Sequence, residues 1–362
     1  MITATQNFVF SKTADSAHHP VLAAIDLGTN SCRLLVASVN VASLKKTFFR
    51  RRPNLAGWRI IDSFAKIVRL GEGLYKNNQL SLEAIERALD ALKTCRKKMD
   101  FHGVTYVRAV ATEACRRAQN GLILVQRAKE ELDLDIEIID GEEEARLALT
   151  GCAAILNTKI PYAVVFDIGG GSTEVIWLRL SKKHRGRPGY PVPFEVLDSI
   201  SLPYGVVTVS ESYAQFASSP EIHQGIKTHV SQELQAFVRR NRIQDYILNR
   251  TTQLIGSSGT VTTLAAVQTG LNHYERRLID GLFISTSDLR AVSQKILNMS
   301  AHERSHHPCI GAGRADLVVV GTAILEGICT ALPIPELRVA DRGVREGILS
   351  ELLVNLHNFQ RH

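Results

Sequence analysis

One arrangement of residues occurs twice in this 362-residue chain, and it limits the possible folds more than any other feature. Residues 21–39, VLAAIDLGTNSCRLLVASV, and residues 163–180, AVVFDIGGGSTEVIWLRL, each contain an apolar run, an Asp-x-Gly-x-x-Ser turn and a second apolar run. The second runs are rich in leucine, valine and isoleucine and lack a helical period, which predicts strands. We therefore expect two similar domains, each with a β-hairpin that has the polar turn at its tip.

The strand after each turn excludes two common phosphate-binding motifs. A dinucleotide-binding fingerprint and a P-loop both need a glycine turn that opens a helix, and the sequence contains no G-x-x-x-x-G-K-[ST] segment. Asp26 and Asp167 end the apolar strands, where a carboxylate is costly unless it binds a cation or accepts hydrogen bonds. Phosphate and metal binding is one interpretation of this pair, and turn-capping aspartates are the other.

The rest of the chain alternates helical and strand patterns. We predict strands at 104–111, 136–139, 253–256 and 336–340, a hairpin around KKHRGRPGYP, and helices at 81–101, 121–132, 141–156, 221–241, 287–299, 312–331 and 344–356, with another beginning at 258. The predicted fold class is α/β, with mixed sheets. We assign residues 1–20 to a disordered N-terminal lead, 21–158 to a first domain, 159–343 to a second domain and 344–362 to a C-terminal helix that packs back on the first.

The charge of the chain favours an anionic partner. The formal net charge is +7, and basic residues cluster in the segments FRRRP, CRKK, KKHRGR and VRRNR. No stacking aromatic residues interleave these clusters, so a simple polyphosphate anion fits them better than a nucleic-acid strand. We expect no nucleic-acid partner. A solvated surface is the alternative explanation for each cluster.

The cysteines and the apolar runs indicate the class of protein. Six cysteines are scattered without close pairing, which predicts buried free thiols instead of disulfides or a zinc site. The sequence has no run of about 18 apolar residues that would form a membrane-spanning helix. The N-terminal lead lacks the basic start and apolar core of a signal peptide. We therefore expect a cytoplasmic protein with no membrane partner.

A third glycine-rich turn occurs in LIGSSGTVTTLA, residues 254–265. It follows a predicted strand and opens a helix, so its N–H groups and hydroxyls suit an anion at a helix N-terminus. The candidate phosphate-binding residues are Gly256, Ser257, Ser258, Gly259 and Thr260. Ser258 as an ordinary N-cap is the alternative.

Three consecutive glutamates begin the predicted helix in DGEEEARLALTGCAAIL, residues 140–156. Apolar residues at helical spacing form one stripe, which consists of Ala145, Ala148, Leu149, Cys152, Ile155 and Leu156. At about 100° per residue, Glu143 points outward, away from that stripe, while Glu142 and Glu144 flank it. The three glutamates either include a catalytic carboxylate or complement the helix dipole.

Seven segments, in this order, resemble the exopolyphosphatase and guanosine-pentaphosphate phosphohydrolase family: AAIDLGTNSCRLLVA, VRAVATEACRRAQN, IIDGEEEAR, VVFDIGGGSTEVI, IGSSGTVTTLA, GAGRADLVVVGTAIL and VADRGVREGIL. The similarity extends from residue 21 to residue 352. It implies the duplicated, ribonuclease H-like fold of actin-like and sugar-kinase-like ATPases. In that fold two domains face each other across a cleft, with the Asp26 and Asp167 turns on opposite walls.

The resemblance also implies roles for individual residues. Glu144 matches the family's proposed general base, and Asp167 and Glu174 match its Mg²⁺ site. The implied phosphate-binding residues are Asp26, Gly28, Thr29, Asn30, Ser31 and Arg33 in the first turn, and Gly169, Gly170, Gly171, Ser172 and Thr173 in the second. Thr29 stands where the family often has serine. Arg33 and Arg116 match family arginines that either contact phosphate oxygens or form structural ion pairs.

The activity that the resemblance implies is Mg²⁺-dependent removal of the terminal phosphate from inorganic polyphosphate. Hydrolysis of guanosine pentaphosphate is the nearest alternative, because it uses the same turns and the same base. A small-molecule kinase and a non-enzymatic ATP-binding protein of the same superfamily are further alternatives. We expect the protein to form a homodimer.

Overall fold

The computed structural model describes residues 20–39, 58–181, 194–213 and 219–359, with side chains described to residue 356. These residues form two compact units, the first containing residues 20–151 and the segment from Val344 onward, and the second containing residues 152–343. The predicted boundary lies slightly later, after residue 158. Asn157 belongs to the second unit because its N–H and C=O groups pair with the side-chain amide of Gln253 at 2.9 and 3.0 Å.

The first unit is built on a five-stranded sheet in the order β3-β2-β1-β4-β5. The strands are β1 (Val21–Leu27), β2 (Ser31–Val39), β3 (Trp58–Ile67), β4 (Tyr106–Ala111) and β5 (Ile136–Ile138). The first three form an antiparallel meander, β4 runs parallel to β1, and β5 runs parallel to β4. The helices are α1 (Leu74–Asn77), α2 (Leu82–Phe101), α3 (Glu113–Arg117), α4 (Gly121–Leu132), α5 (Gly141–Cys152) and the C-terminal α14 (Val344–Phe359).

The second unit is built on a six-stranded sheet in the order β10-β11-β9-β6-β7-β8. The strands are β6 (Tyr162–Ile168), β7 (Thr173–Leu180), β8 (Phe194–Leu202), β9 (Thr252–Ser257), β10 (Phe283–Ser285) and β11 (Glu336–Ala340). β6, β7 and β8 again form an antiparallel meander, and β9 runs parallel to both β6 and β11. The helices are α6 (Val206–Ser212), α7 (Pro220–Arg240), α8 (Ile243–Leu248), α9 (Gly259–Gln268), α10 (Arg276–Ile279), α11 (Thr286–Asn298), α12 (Ala301–His306) and α13 (Leu317–Ala331).

The duplicated hairpins confirm the prediction from the internal repeat, and the duplication extends to the third strand. Each meander has a register shift ten residues after its hairpin aspartate, at residues 36/37 and 177/178. Beside each shift, an aspartate of the third strand binds a cation near the C-terminal end of a helix. Asp62 binds Lys98 of α2 at 2.8 Å, and Asp198 binds Arg240 of α7 at 2.6 Å.

The C-terminal helix α14 packs on the first unit and completes its core. Apolar residues on one face of the sheet are buried together with residues of α5 and α14, among them Leu147 and Ile348. The contact is close, since a Cβ on Gly347 would lie 2.1 Å from the carbonyl oxygen of Leu147. Helix α5 therefore buries a second face in addition to its predicted apolar stripe.

All six cysteines are buried and unbridged, which confirms the prediction of free thiols. Burial raises the pKa of Cys115 and of Cys329 to about 12, so neither is a thiolate at neutral pH. Across the described ranges, no helix combines the length and the apolar composition needed to cross a bilayer.

Candidate active site

The first polar turn connects β1 to β2. It is closed by the N–H of Gly28, which donates to the C=O of Ser31 at 3.0 Å. In the described part of the chain, the N–H groups of Thr29 and Asn30 donate to no protein acceptor. Successive backbone donors in a turn form a concave site for an anion, so these two groups remain available to phosphate oxygens.

Asp26 provides the negative charge at the end of β1. It lies directly opposite Arg33 across the hairpin, and Arg33 Nε donates to Ser31 Oγ at 3.0 Å. Burial raises the pKa of Asp26, while the charges of Arg33 and Arg345 oppose that rise. The negative charge of Glu346, which is only 2% exposed, raises the pKa of Asp26 further. Helix α14 therefore brings charged residues near Asp26 that the local pattern of the turn gave no reason to expect, although both lie in the segment VADRGVREGIL.

The second polar turn repeats the backbone geometry of the first. The N–H of Gly169 donates to the C=O of Ser172 at 2.8 Å. The N–H groups of Gly170 and Gly171 have no acceptor among the described residues. The second unit therefore presents the same kind of anion-binding backbone as the first.

A pair of carboxylates distinguishes the second turn. Asp167 lies directly opposite Glu174, so the two side chains share one face of the hairpin. Glu174 is only 7% exposed, and its Oε1 accepts hydrogen bonds from Ser172 Oγ at 2.5 Å and Ser201 Oγ at 3.1 Å. Neighbouring carboxylates with little exposure favour a bound cation.

The chemistry of this carboxylate pair fits Mg²⁺. The ion prefers oxygen ligands and is usually held by one or two carboxylates together with water and substrate phosphates. Among the described residues, no cluster of three or more His, Cys, Asp and Glu side chains forms a more complete metal site. Asp167 and Glu174 therefore suit an ion that keeps most of its coordination sites for water and substrate.

Three chain segments of the first unit meet at one edge of its sheet. The N–H of Thr112 donates to the C=O of Leu27 at 3.2 Å, so α3 begins beside the first polar turn. The N–H of Ile139 donates to the C=O of Ala111 at 3.1 Å, which brings the start of α5 to the same edge. The carboxyl ends of parallel strands are the usual place for ligands in open α/β sheets.

Glu144 of α5 is held by Arg116 of α3. Both terminal nitrogens of Arg116 lie 3.3 Å from Glu144 Oε2, and the Glu144 side chain is 17% exposed. Arg116 also donates to the C=O of Ile139 at 2.7 Å and to Glu113 Oε2 at 2.5 Å. Burial alone would lower the pKa of Arg116, but the carboxylates of Glu144 and Glu113 raise it. The arginine is thus a fixed cation that orients the Glu144 carboxylate.

The expectation that Glu143 points outward is wrong. Its side chain is 23% exposed, and its two oxygens accept from Arg108 at 2.9 Å and from Arg146 at 2.6 Å. Arg108 also binds Glu351 of α14 at 2.7 Å. Burial would raise the pKa of Glu143, but the two arginines lower it. The helical wheel of α5 missed this cluster because Arg108 and Glu351 are far away in sequence. Of the three glutamates, Glu142 is the exposed one.

The third turn is located beside the second, but several of its residues have packing roles. Ser257 is the parallel neighbour of Asp167. A Cβ on Gly256 would lie 2.6 Å from Phe166 Cζ, so this glycine leaves room for a core ring. Ser258 has a φ of 141°, and its Oγ accepts a hydrogen bond from the N–H of Val261 at 3.2 Å. Ser258 is therefore the N-cap of α9, which is the alternative role considered for it in the sequence.

Thr260 is also engaged in packing, because a Cβ on Gly321 of α13 would lie 2.5 Å from its Oγ1. The side chain of Thr260 therefore faces α13. Gly259 is the first residue of α9. Anion binding at this turn would rely on backbone N–H groups at the start of α9 more than on the Thr260 hydroxyl.

Comparison with known proteins identifies the family. A model of the Ppx/GppA phosphatase family matches residues 51–356. Exopolyphosphatase 2 of Mycobacterium tuberculosis is 30% identical over 345 residues, which cover 91% of this chain and 98% of that protein. Similar solved structures include the Ppx/GppA family member of Aquifex aeolicus, with 26% identity and a TM-score of 0.70 over 93% of this chain and 98% of that one. An exopolyphosphatase from Cytophaga hutchinsonii has 25% identity and a TM-score of 0.74 over 92% and 98%.

These matches confirm the expected α/β architecture with the actin-like ATPase fold. They also support a phosphohydrolase, in agreement with the resemblance seen in the sequence. The chain belongs to the Ppx/GppA phosphatase family.

Proposed function

We propose that this protein is an Mg²⁺-dependent exopolyphosphatase, which hydrolyses the terminal phosphoanhydride bond of inorganic polyphosphate and releases orthophosphate. The observation that carries the proposal is the similarity to exopolyphosphatase 2 of M. tuberculosis over nearly the whole length of both proteins. The two polar turns support it, because each offers backbone N–H groups next to an acidic residue that ends a strand.

Glu144 is the general base in this proposal. Its carboxylate takes a proton from water while the water oxygen bonds to the terminal phosphorus, and the bond from that phosphorus to the bridging oxygen breaks. The bridging oxygen keeps the electron pair and leaves with the shortened chain. The proton on Glu144 then passes to solvent. Arg116 positions the base through its two contacts of 3.3 Å with Glu144 Oε2.

The second unit contributes the residues that would hold Mg²⁺, Asp167 and Glu174. When bound, the ion supplies positive charge to the nonbridging and leaving oxygens of the substrate. The hydroxyls of Ser172 and Ser201 orient the Glu174 carboxylate, as outer partners of metal ligands commonly do. Backbone N–H groups in each turn are suited to bind phosphate oxygens and stabilise the charge on them.

Two of the four basic clusters are at least partly neutralised by acids. Lys98 of CRKK binds Asp62, and Arg240 of VRRNR binds Asp198. The clusters at residues 50–52 and 182–187 lie outside the described residues, and we propose them as tracks for long polyphosphate. Replacing Arg50, Arg51 and Arg52 with glutamine, or the basic residues of KKHRGR likewise, is expected to raise KM for long chains and flatten its salt dependence, because fewer counterions are released.

The matched control for these clusters is Arg240→Gln, which removes a charge already paired with an acid. We expect its KM for long polyphosphate and its salt dependence to equal those of the wild type. Tripolyphosphate is too short to follow a track, so its KM should not respond to either set of substitutions. An unchanged salt dependence in both cluster variants would show that the clusters are solvated surface.

Orthophosphate release tests the proposed activity. The protein is incubated with long-chain polyphosphate, guanosine pentaphosphate or ATP, each with Mg²⁺ and with EDTA. We expect release from polyphosphate that requires Mg²⁺. Faster release from guanosine pentaphosphate would replace this proposal with the nearest alternative, and phosphate transfer from ATP to an added acceptor would indicate a kinase.

A further inference from the structure

In each unit, the chain that leaves the third strand of the meander returns to the polar turn of that same unit. After β3, residues 68–71 contact the first turn, and after β8, residues 205–208 contact the second turn. We name these segments the first brace and the second brace. Neither contains a phosphate-binding sequence pattern, so neither was predicted to belong to the site.

The first brace binds carbonyl groups of the first turn. The N–H groups of Val68 and Arg69 donate to the C=O of Asn30 at 2.9 and 3.0 Å. The N–H of Gly71 donates to the C=O of Thr29 at 2.9 Å. Both carbonyls between Gly28 and Ser31 are thereby directed at the brace.

The second brace does the same in the second unit with a different sequence. The N–H of Val206 donates to the C=O of Gly169 at 3.0 Å, and the N–H of Val207 donates to the C=O of Gly170 at 2.8 Å. The first N–H groups of α6, which a helix leaves without intrahelical partners, are therefore satisfied by the polar turn.

Each brace has one glycine that leaves no room for a side chain. A Cβ on Gly71 would lie 2.3 Å from Thr29 Cγ2, and a Cβ on Gly205 would lie 2.2 Å from the carbonyl oxygen of Gly170. Neither glycine has a left-handed φ. Both positions therefore require glycine for space and not for backbone freedom.

We propose that Gly71 and Gly205 are positioning residues for phosphate binding, an inference that rests on the proposed function. A carbonyl oxygen repels a phosphate, whereas an N–H group attracts it. A phosphate-binding turn must therefore point its N–H groups toward the phosphate and its carbonyl groups away from it. The braces engage turn carbonyls and leave the N–H groups of both turns available. A side chain at either glycine displaces the turn, and a displacement of about 1 Å can cost about 10²-fold in rate.

A double-mutant cycle tests the first brace. Gly71→Ala and Thr29→Ser are made singly and together, because Thr29→Ser removes the Cγ2 atom that the new Cβ would meet. The measurements are kcat and KM for orthophosphate release, tripolyphosphate affinity by titration calorimetry, and Tm. Gly225→Ala in α7 is the matched control, because a Cβ there has no neighbouring atom within 4 Å.

We expect Gly71→Ala alone to lower kcat/KM and tripolyphosphate affinity about 10–100-fold. When Thr29→Ser is also present, adding Gly71→Ala should cost only about twofold, the size of an uncoupled change. Gly205→Ala should cause a similar loss that no side-chain change in the turn repairs, since its clash is with backbone atoms of Gly170. Gly225→Ala should leave activity and affinity unchanged.

Two results would overturn the inference. One is an equal loss from Gly71→Ala with and without Thr29→Ser, which would exclude the contact between them as the cause. The other is an unchanged tripolyphosphate affinity in both Gly71→Ala and Gly205→Ala. A wild-type protein that releases no phosphate from polyphosphate would instead contradict the proposed function, and the tripolyphosphate affinities of the cycle would still decide the role of the brace.

Discussion

In the first hairpin Asp26 faces Arg33 across the two strands, whereas in the second hairpin Asp167 faces Glu174. The backbone around these pairs is alike, with a glycine N–H that closes each turn and a register shift at the same distance along the strand. The role of the turn serine in its hydrogen bond depends on the charge of the residue two positions later. Ser31 accepts a hydrogen bond from Arg33, but Ser172 donates one to Glu174.

Under the proposed function, this difference gives the two hairpins different roles. The first hairpin carries its own cation, Arg33, opposite Asp26. The second hairpin places two carboxylates together, an arrangement that favours a bound cation. We therefore propose Asp167 and Glu174 of the second unit, and not the first hairpin, as the Mg²⁺ site, and Glu144 of the first unit as the general base.

The largest expected effect comes from the base. We expect Glu144→Gln to lower kcat for orthophosphate release about 10²–10⁴-fold, because glutamine keeps the size and the contact with Arg116 but cannot accept the proton. Tripolyphosphate affinity should change little. Glu142→Gln is the matched control, since Glu142 is exposed on the same helix. Wild-type turnover in Glu144→Gln would show that Glu144 is not the general base.

The next effect tests where the metal binds. Asp167→Asn is expected to raise the Mg²⁺ concentration for half-maximal activity about 10–100-fold, which is the usual consequence of weakening a metal site. Asp26→Asn should lower turnover without moving that concentration. The measurement is a titration of the initial rate with Mg²⁺. Equal shifts in the two variants would mean that the hairpins do not differ in metal binding.

A smaller effect is expected at the cation of the first hairpin. Arg33→Gln should raise KM for tripolyphosphate about tenfold, since hydrogen bonds to charged groups contribute about 1.5–3 kcal/mol. Arg33→Lys keeps the charge and should recover part of the loss. If KM for tripolyphosphate is the same in wild type and Arg33→Gln, Arg33 is only the structural partner of Asp26.

The smallest expected effect concerns stability. Because the folded-state pKa of Asp26 is raised, the folded protein binds its proton more tightly than the unfolded chain does. The ionised carboxyl therefore costs stability at neutral pH, and the cost disappears as pH falls through the folded pKa toward the unfolded value. We expect Asp26→Asn to raise Tm at pH 7 by about 2–4 °C, the size of an effect of about 1 kcal/mol. A Tm difference that stays constant down to pH 3 would contradict this assignment.

The parts of the structure that were predictable from sequence are those set by neighbours along the chain. The two hairpins follow from strand, turn and strand patterns within twenty residues, and the predicted bounds of α4 and β11 agree with those observed. The stripe of α5 likewise predicted the burial of Ala148, Leu149 and Cys152. Local propensity and periodicity are sufficient where the partner of a residue lies in the same element.

The remaining features depend on residues that are distant in sequence. Glu143 is half-buried beside Arg108 of β4, which also binds Glu351 of α14, and a helical wheel of α5 contains neither of these residues. Gly256 has the appearance of a phosphate-turn glycine, yet its neighbour is the core ring of Phe166. The braces could not be predicted from the sequence for the same reason. Gly71 and Gly205 contact the polar turns only because the chain after the third strand returns to them.

Helix α14 separates the synthesis of the first unit's sheet from the completion of its core. The ribosome synthesises residues 20–151 before the second unit, but Leu22, Leu35 and Val110 are buried together with residues of α14, the last helix of the described chain. The described residues of the second unit all lie between residues 152 and 343, so its core is complete earlier. Domains usually fold in the order of their synthesis. Here the apolar face that α14 covers stays exposed until that helix has been synthesised, so the core of the first unit is completed after that of the second.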